Sequence, residues 1–369
     1  MKYYIIAGEA SGDLHGSNLV KSIMAKDTNA VIHCWGGDLM QAAGAILIKH
    51  YRELAFMGFL EVIKNLGTIL KNLKFCKEDI LKFNPDVVVL IDYPGFNLRI
   101  AKWAKARGIK VVYYISPQVW AWKENRVRSM KKCIDKMMVI LPFEKDYFKT
   151  KWNWDVVYVG HPLTEAIEQF KINNQSLPKY ERPIIALLPG SRKQEISIKL
   201  PIMLQIASLF KEYQFVIAKA PGIEASFYNH LIGSNENVSY VTNQTYQLLN
   251  QSVAALVTSG TATLETALFN VPQVVCYKGS RISYEIAKRV IKVPFISLVN
   301  LIMEKMVVKE LIQDELNTNN LISELQEILP HGVKRSQILS DYAILRNKLQ
   351  SNQKASDVAA SMIIEIAVK

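Results

Sequence analysis

The chain has 369 residues, half of them hydrophobic and 21% charged, which excludes a disordered protein and exceeds what one ordinary core accommodates. No uninterrupted apolar run approaches the ~18 residues of a membrane-spanning helix, and Cys34, Cys76, Cys133 and Cys276 lack the spacing of a zinc site or disulfide framework. The net charge of +12 favours an anionic partner (nucleic acid, a phosphate-bearing substrate or an anionic membrane surface), and a Lys-rich solvated surface explains part of it.

Tyr3 to Ala7 reads as a first strand and not a signal peptide, because its apolar run is short and Glu9 follows at once. The turn from Gly8 to Gly16 is glycine-spaced but is not GxGxxG, so it is no dinucleotide fingerprint. Glu9, Ser11 and Asp13 crowd a strand's carboxyl end. N-capping of the following helix by Ser11 or Asp13 is the plainer role, and it leaves Glu9 unexplained. Val31 to Trp35 is a second strand with Gly36-Gly37-Asp38 as its exit loop.

Residues 56 to 83 carry a helical period through Leu60, Ile63, Leu66, Leu70, Leu73 and Ile80. Phe56, Met57, Phe59 and Leu60 are more apolar than a loop needs, and Lys64, Lys71, Lys74 and Lys77 interleave with the apolar face. That is the composition of a helix at a membrane surface, expected for 56–70; the C-terminal half is expected to cover a sheet.

Val87 to Ile91 is a strand ending at Asp92, beside Pro94-Gly95. A carboxylate there suits an active-site base, or an Asx-turn holding its own loop; the two roles are compatible. Val111 to Ile115 is the next strand. Trp120 and Trp122 follow beside Arg126, Arg128, Lys131 and Lys132, which fits nucleic-acid stacking, interfacial anchoring or packing. Strands at 136–141 and 156–159 complete the half.

Residues 171–182 are polar and aperiodic and read as a linker between a domain at 1–170 and a second at 183–344. The tail, 345–369, ends in an amphipathic helix from Ala355 to Val368 that packs on its own first domain or on a partner's in a homodimer. The second half repeats the βα rhythm, with strands near 184–188, 214–218, 238–241, 253–257 and 273–277. Ser297 to Asn300 reads as a loop, and 306–316, 318–329 and 335–349 as helices.

Two turns in this half carry a ligand signal. Gly190 and Ser191 offer backbone donors after one strand, and Arg192 adds a guanidinium fork suited to phosphate. After another, Ser259, Gly260, Thr261 and Thr263 open a helix with Glu265 one turn in, near enough for ribose hydroxyls. The second turn alone fits an ordinary N-cap equally well. Together, about seventy residues apart on strands of one sheet, they point to a single nucleotide diphosphate.

The fold class expected is α/β: two doubly wound Rossmann-like domains facing a cleft, the GT-B architecture. The ordered motifs AGEASGDLHG, ELAFMGFLEV, IDYPGFN, ISPQVWAWKENRV, LPFEKDYF, VGHPL, LLPGSRKQEI, TSGTATLE and SLVNLI resemble the lipid-A-disaccharide synthase family over nearly the whole chain. The resemblance implies inverting transfer of 2,3-diacylglucosamine from UDP to the 6-hydroxyl of 2,3-diacylglucosamine 1-phosphate, without metal or cofactor. It implies Asp92 as the essential aspartate and Arg192 as the phosphate-contacting arginine. Glu265 and Asn300 would line the nucleotide site, and the Glu9 turn with Ser11 and Gly12 would face the acceptor. Gly95 is a departure: the family's DxPDFN pattern has a second acid there, so a two-carboxylate mechanism from that motif does not carry over. Acylated anionic substrates imply work on the inner face of the inner membrane. A UDP-sugar enzyme with a soluble substrate, such as a UDP-N-acetylglucosamine 2-epimerase or a muropeptide-type glucosaminyltransferase, would not need residues 56–70. Nucleic acid is not an expected partner, because the basic residues are dispersed and no RRM, KH or helix-turn-helix pattern occurs.

Overall fold

The computed structural model describes residues 1–53, 66–173, 177, 180–291, 293–351 and 353–368. The chain divides into two compact units, Met1–Pro162 with Ser351–Lys369, and Leu163–Gln350.

The first unit contains β1 (Lys2–Ala7), β2 (Val31–Gly36), β3 (Ile46–His50), β4 (Val87–Ile91), β5 (Lys110–Tyr114), β6 (Lys136–Val139) and β7 (Val157–Tyr158). They form one sheet in the order β3-β2-β1-β4-β5-β6-β7, every neighbouring pair parallel. The continuous apolar run of β4 follows from burial on both faces, and its five residues have no exposed surface. Alternation along β1 feeds two layers. Tyr4 and Ile6 join Trp35, Val88, Leu90 and Ile80 on one side; Tyr3, Ile5 and Ala7 join Val20, Ile23, Val89 and Ile363 on the other. The edge strand β3 was not expected; it is short, its apolar run Ile46-Leu47-Ile48 ends at Lys49, and all its residues are at least partly exposed.

The helix Leu66–Phe83 buries Leu73, Cys76, Ile80 and Phe83 in the first layer, as expected of the C-terminal half of that segment. Phe56, Met57, Phe59 and Leu60 lie outside the described residues.

The second unit contains β8 (Ile184–Leu188), β9 (Gln214–Lys219), β10 (Val238–Thr242), β11 (Ser252–Thr258), β12 (Gln273–Tyr277) and β13 (Glu310–Ile312). Their order is β10-β9-β8-β11-β12-β13, again all parallel. Two expectations are corrected here. Residues 306–316 are not a helix but β13 followed by a short 3-10 turn, because Glu310 is buried and accepts the N–H groups of Ile296 (3.0 Å) and Ser297 (2.9 Å). Ser297–Asn300 is not a loop either: Ser297 Oγ accepts the Asn300 N–H at 3.3 Å and caps the helix Leu298–Met303. The segment 171–182 begins inside the helix Pro162–Asn173, which lies in the second unit from Leu163 onward.

The tail helix Ala355–Val368 returns to the first unit, where Ala359, Ala360 and Ile363 are fully buried against the first sheet. Ile363→Ala should cost the first unit about 2–5 kcal/mol, the usual result of deleting a large aliphatic side chain from a core. Urea unfolding measures it, and a parent-like midpoint would mean the helix adds nothing to that unit's stability.

Candidate active site

In the first sheet the connections diverge between β1 and β4, which leaves a crevice at the carboxyl ends of these strands. Ala7 pairs with Ile91, so the exits carrying Glu9 and Asp92 lie side by side. Asp92 and Tyr93 have φ of 43° and 48°, a left-handed turn of two non-glycine residues that costs of order 1–3 kcal/mol each. The turn is held from below. The Tyr113 hydroxyl donates to the Asp92 carbonyl at 2.5 Å, and buried Asn97 Nδ2 donates to the same oxygen at 2.8 Å and to Ile91 O at 3.1 Å. The Tyr93 ring in turn occupies the space over Gly8, where an added Cβ would lie 2.3 Å from it. The two loops therefore interlock.

The electrostatics follow from this packing. Burial first, and the neighbouring Glu9 carboxylate second, push the Asp92 carboxyl up to about 7. Glu144, fully buried after β6, is also raised to about 7, mainly by burial and slightly by Asp92. Hydrogen bonds from Leu141 N–H and Trp120 Nε1, both 3.0 Å, oppose that rise. Burial lowers His15 to about 4 and His161 to about 3, leaving both neutral and poorly basic. The Asp92 carboxyl lies nearer neutrality than either histidine.

The turn after β1 sorts into distinct roles. Asp13 does not cap its own helix, Ala10–Lys26. Its buried carboxylate accepts the N–H groups of Gly37 (2.8 Å), Leu39 (3.1 Å) and Met40 (3.0 Å), capping the helix Asp38–Ala42 across the sheet edge. Ser11 is exposed, and Gly12 lets the helix approach Ala7 closely, since a Cβ there would lie 3.1 Å from that of Ala7. Glu9 is half-buried at the helix start. Trp120 faces inward, edge-on to Phe143 and bonded to Glu144, so packing accounts for it. Trp122 is exposed, with Lys123 Nζ 4.2 Å from its ring centre. Glu144 escaped the sequence reading; its position three residues after Leu141, at a helix start, was the available signal.

In the second unit the switch point lies between β8 and β11, where Leu188 pairs with Val257. The two glycine turns flank it. Gly190 has φ of +121° and Gly260 +138°, which L side chains rarely adopt, and nothing lies within 4 Å of a Cβ built at Gly260. The helices Lys193–Leu204 and Thr261–Leu268 start there, so their N-terminal N–H groups end at the same sheet edge. Ser191 and Thr261 are exposed beside them. The Arg192 guanidinium is largely exposed, with Nη1 3.3 Å from Glu195 Oε1.

The other candidates are tied into the protein. Ser259 Oγ donates to Ile296 O at 2.8 Å, and Thr263 Oγ1 to Gly260 O at 2.8 Å. Half-buried Glu265 accepts the Tyr246 hydroxyl at 3.0 Å, and burial raises its carboxyl above the ordinary range. Asn300 is fully buried. Its Nδ2 donates to Val308 O (2.9 Å) and Glu310 Oε1 (2.9 Å), while Oδ1 accepts from Val307 N (2.8 Å) and Val308 N (3.0 Å). Nothing on that side chain is left to offer a ligand. Asn300 acts instead through Glu310 on the Ile296 turn that receives Ser259.

Two doubly wound sheets, each gathering its polar side chains at a switch point, define the GT-B class of glycosyltransferases and related epimerases. The fold is shared with the glycosyltransferase of kitacinnamycin (TM-score 0.70, 12% identity, 99% of this chain and 98% of that one). It is shared also with UDP-GlcNAc 2-epimerase from Neisseria meningitidis bound to UDP-GlcNAc (TM-score 0.67, 14% identity, all of both chains). Residues 3–364 match the lipid-A-disaccharide synthetase family, and the chain belongs to it. Relatives named lipid-A-disaccharide synthase include that of Geobacter metallireducens, 37% identical over 99% of this chain and 97% of the relative. That of Syntrophus aciditrophicus is 38% identical with the same coverage. The protein is a glycosyltransferase of lipid A biosynthesis.

If Asp92 works as the ionised base, turnover should fall as pH drops below about 7. Asp92→Asn should lose ~10²-fold or more in kcat and flatten that limb. Stability should move the other way. The folded carboxyl keeps its proton from pH 3.8 to about 7, where the unfolded one has lost it, so stability declines as pH rises through that window. A pH series of kcat and of unfolding midpoints on parent and variant checks both, and parent-like turnover in Asp92→Asn would remove Asp92 from the chemistry.

Proposed function

We propose that the chain transfers 2,3-diacylglucosamine from UDP to the 6-hydroxyl of 2,3-diacylglucosamine 1-phosphate, inverting the anomeric carbon. The bond from the new oxygen to the anomeric carbon forms as the bond to UDP breaks. The hydroxyl proton passes to Asp92, and UDP leaves with the electron pair. The observation that carries this reading is the Asp92 carboxyl, raised to about 7 beside Glu9 at the first sheet's switch point. A hydroxyl is a poor nucleophile at neutral pH, and a carboxylate of that basicity suits its activation better than an ordinary aspartate.

The first unit then serves the acceptor and the second the UDP sugar. Support for the donor comes from the glycine turns, the helix N-termini and Arg192, which suit a diphosphate. One solved protein of the same fold is bound to UDP-GlcNAc. Substrates carrying acyl chains call for contact with an anionic membrane, and the +12 charge favours it. The helix Leu66–Phe83 leaves Leu70, Phe75 and Leu81 exposed among lysines. Among the described residues no helix is long and apolar enough to cross a membrane, so attachment to the inner face of the inner membrane would be peripheral.

The direct test is incubation with both acylated substrates: a disaccharide 1-phosphate of inverted anomeric configuration, with stoichiometric UDP, is expected. UDP release without disaccharide would reject the reading. Arg192→Ala should weaken UDP binding by tens-fold, in keeping with loss of a charge-assisted contact of about 2 kcal/mol; calorimetry showing unchanged affinity would reject its assignment. Replacing Phe56, Met57, Phe59 and Leu60 with serine should move the protein from anionic-vesicle pellet to supernatant while UDP binding persists. Equal partitioning would assign those residues to something other than the membrane.

A further inference from the structure

Lys199 lies six residues into the helix Lys193–Leu204 and is only 2% exposed. A buried ammonium is costly unless paired, and burial holds its pKa below the ordinary lysine value, with Glu195 opposing the shift. Its partner is Glu195, one helical turn earlier, with Nζ 3.7 Å from Oε2. The other oxygen of the same carboxylate, Oε1, holds Arg192 Nη1 at 3.3 Å. One acid therefore serves two cations, a buried one below and an exposed one at the mouth of the Gly190 turn. The cluster is locked against the backbone. A Cβ added at Gly190 would sit 2.8 Å from Glu195 Oε2 and 3.6 Å from Lys199 Nζ.

We propose that Lys199 is a positioning residue for the donor diphosphate, holding Glu195 so that Arg192 can leave that carboxylate for the phosphates. The inference rests on the nucleotide reading of the Gly190 and Gly260 turns given above. When an anion arrives, Arg192 must give up Glu195. With Lys199 present, the half-buried carboxylate keeps a cation and its loss is small. Without Lys199, Glu195 would be stranded unpaired, so it would retain Arg192 and compete with the ligand. Lys199 needs no contact with the nucleotide for this.

The mechanism has a signature that simple structural damage lacks. Lys199→Met should weaken UDP binding about tenfold, the weight of one modest interaction. Adding Glu195→Gln to it removes the competing charge and should restore affinity to within about threefold of the parent, although it adds a second change to the same cluster. Titration calorimetry with UDP on the full chain, alongside melting curves for each variant, provides the readout. Parent-like UDP affinity in Lys199→Met would overturn the proposal. So would a double variant that melts like the parent yet binds UDP as weakly as Lys199→Met. Should Lys199→Met fail to fold, the neutral double variant decides alone: tenfold weakening there would equally overturn it. A parent protein that binds no UDP at all would overturn the donor reading itself, a result distinct from any of these.

Discussion

The chemistry of this protein depends on charge being brought to the carboxyl edge of a parallel sheet at the point where its connections diverge. A parallel sheet buries both faces, so polar side chains at strand ends have only that edge to occupy. In the first unit the edge holds carboxyls, and burial first, with the neighbouring Glu9 second, raises Asp92 to about 7. In the second it holds N–H groups and an arginine, both suited to an anion, with Glu195 shared between Arg192 and Lys199. The same architectural constraint thus gathers carboxyls at the edge of one sheet and helix N–H groups with an arginine at the edge of the other.

Both edges are kept in order by buried side chains that bond the turns. Tyr113 and Asn97 hold the left-handed turn at Asp92, which would otherwise relax to ordinary backbone. Asn300 and Glu310 hold the Ile296 turn that receives Ser259. Asp13 does the same for the turn after β2. In each case a buried polar side chain satisfies backbone groups of a turn or strand end, and these residues are as buried as the aliphatic core.

Much of this was legible in the sequence. The runs Val87–Ile91 and Ile184–Leu188 are buried on both faces and announce themselves, as does the Gly260 turn with its helix. Edge strands were harder. β3 and β13 are short, and β13 reads as a helix until Glu310 is seen to bond N–H groups fourteen and thirteen residues back. Pair relationships were least legible. That Asp13 caps a helix twenty-five residues on, or that Glu195 divides itself between Arg192 and Lys199, depends on geometry that spacing only partly encodes. Nor does the SLVNLI motif show that the Asn300 side chain is engaged by Val307, Val308 and Glu310.

The first unit is built from both ends of the chain, with the second inserted between them. While the chain is being synthesised, β1 to β7 emerge early, yet the patch of sheet that Ala359, Ala360 and Ile363 will cover stays bare. It stays so until the whole Leu163–Gln350 unit has left the ribosome. At roughly 5–20 residues per second that interval is on the order of ten to forty seconds, long compared with the folding of most domains. A nascent chain of this protein therefore exposes an apolar surface for which a chaperone, or another nascent copy, would compete with its own last helix.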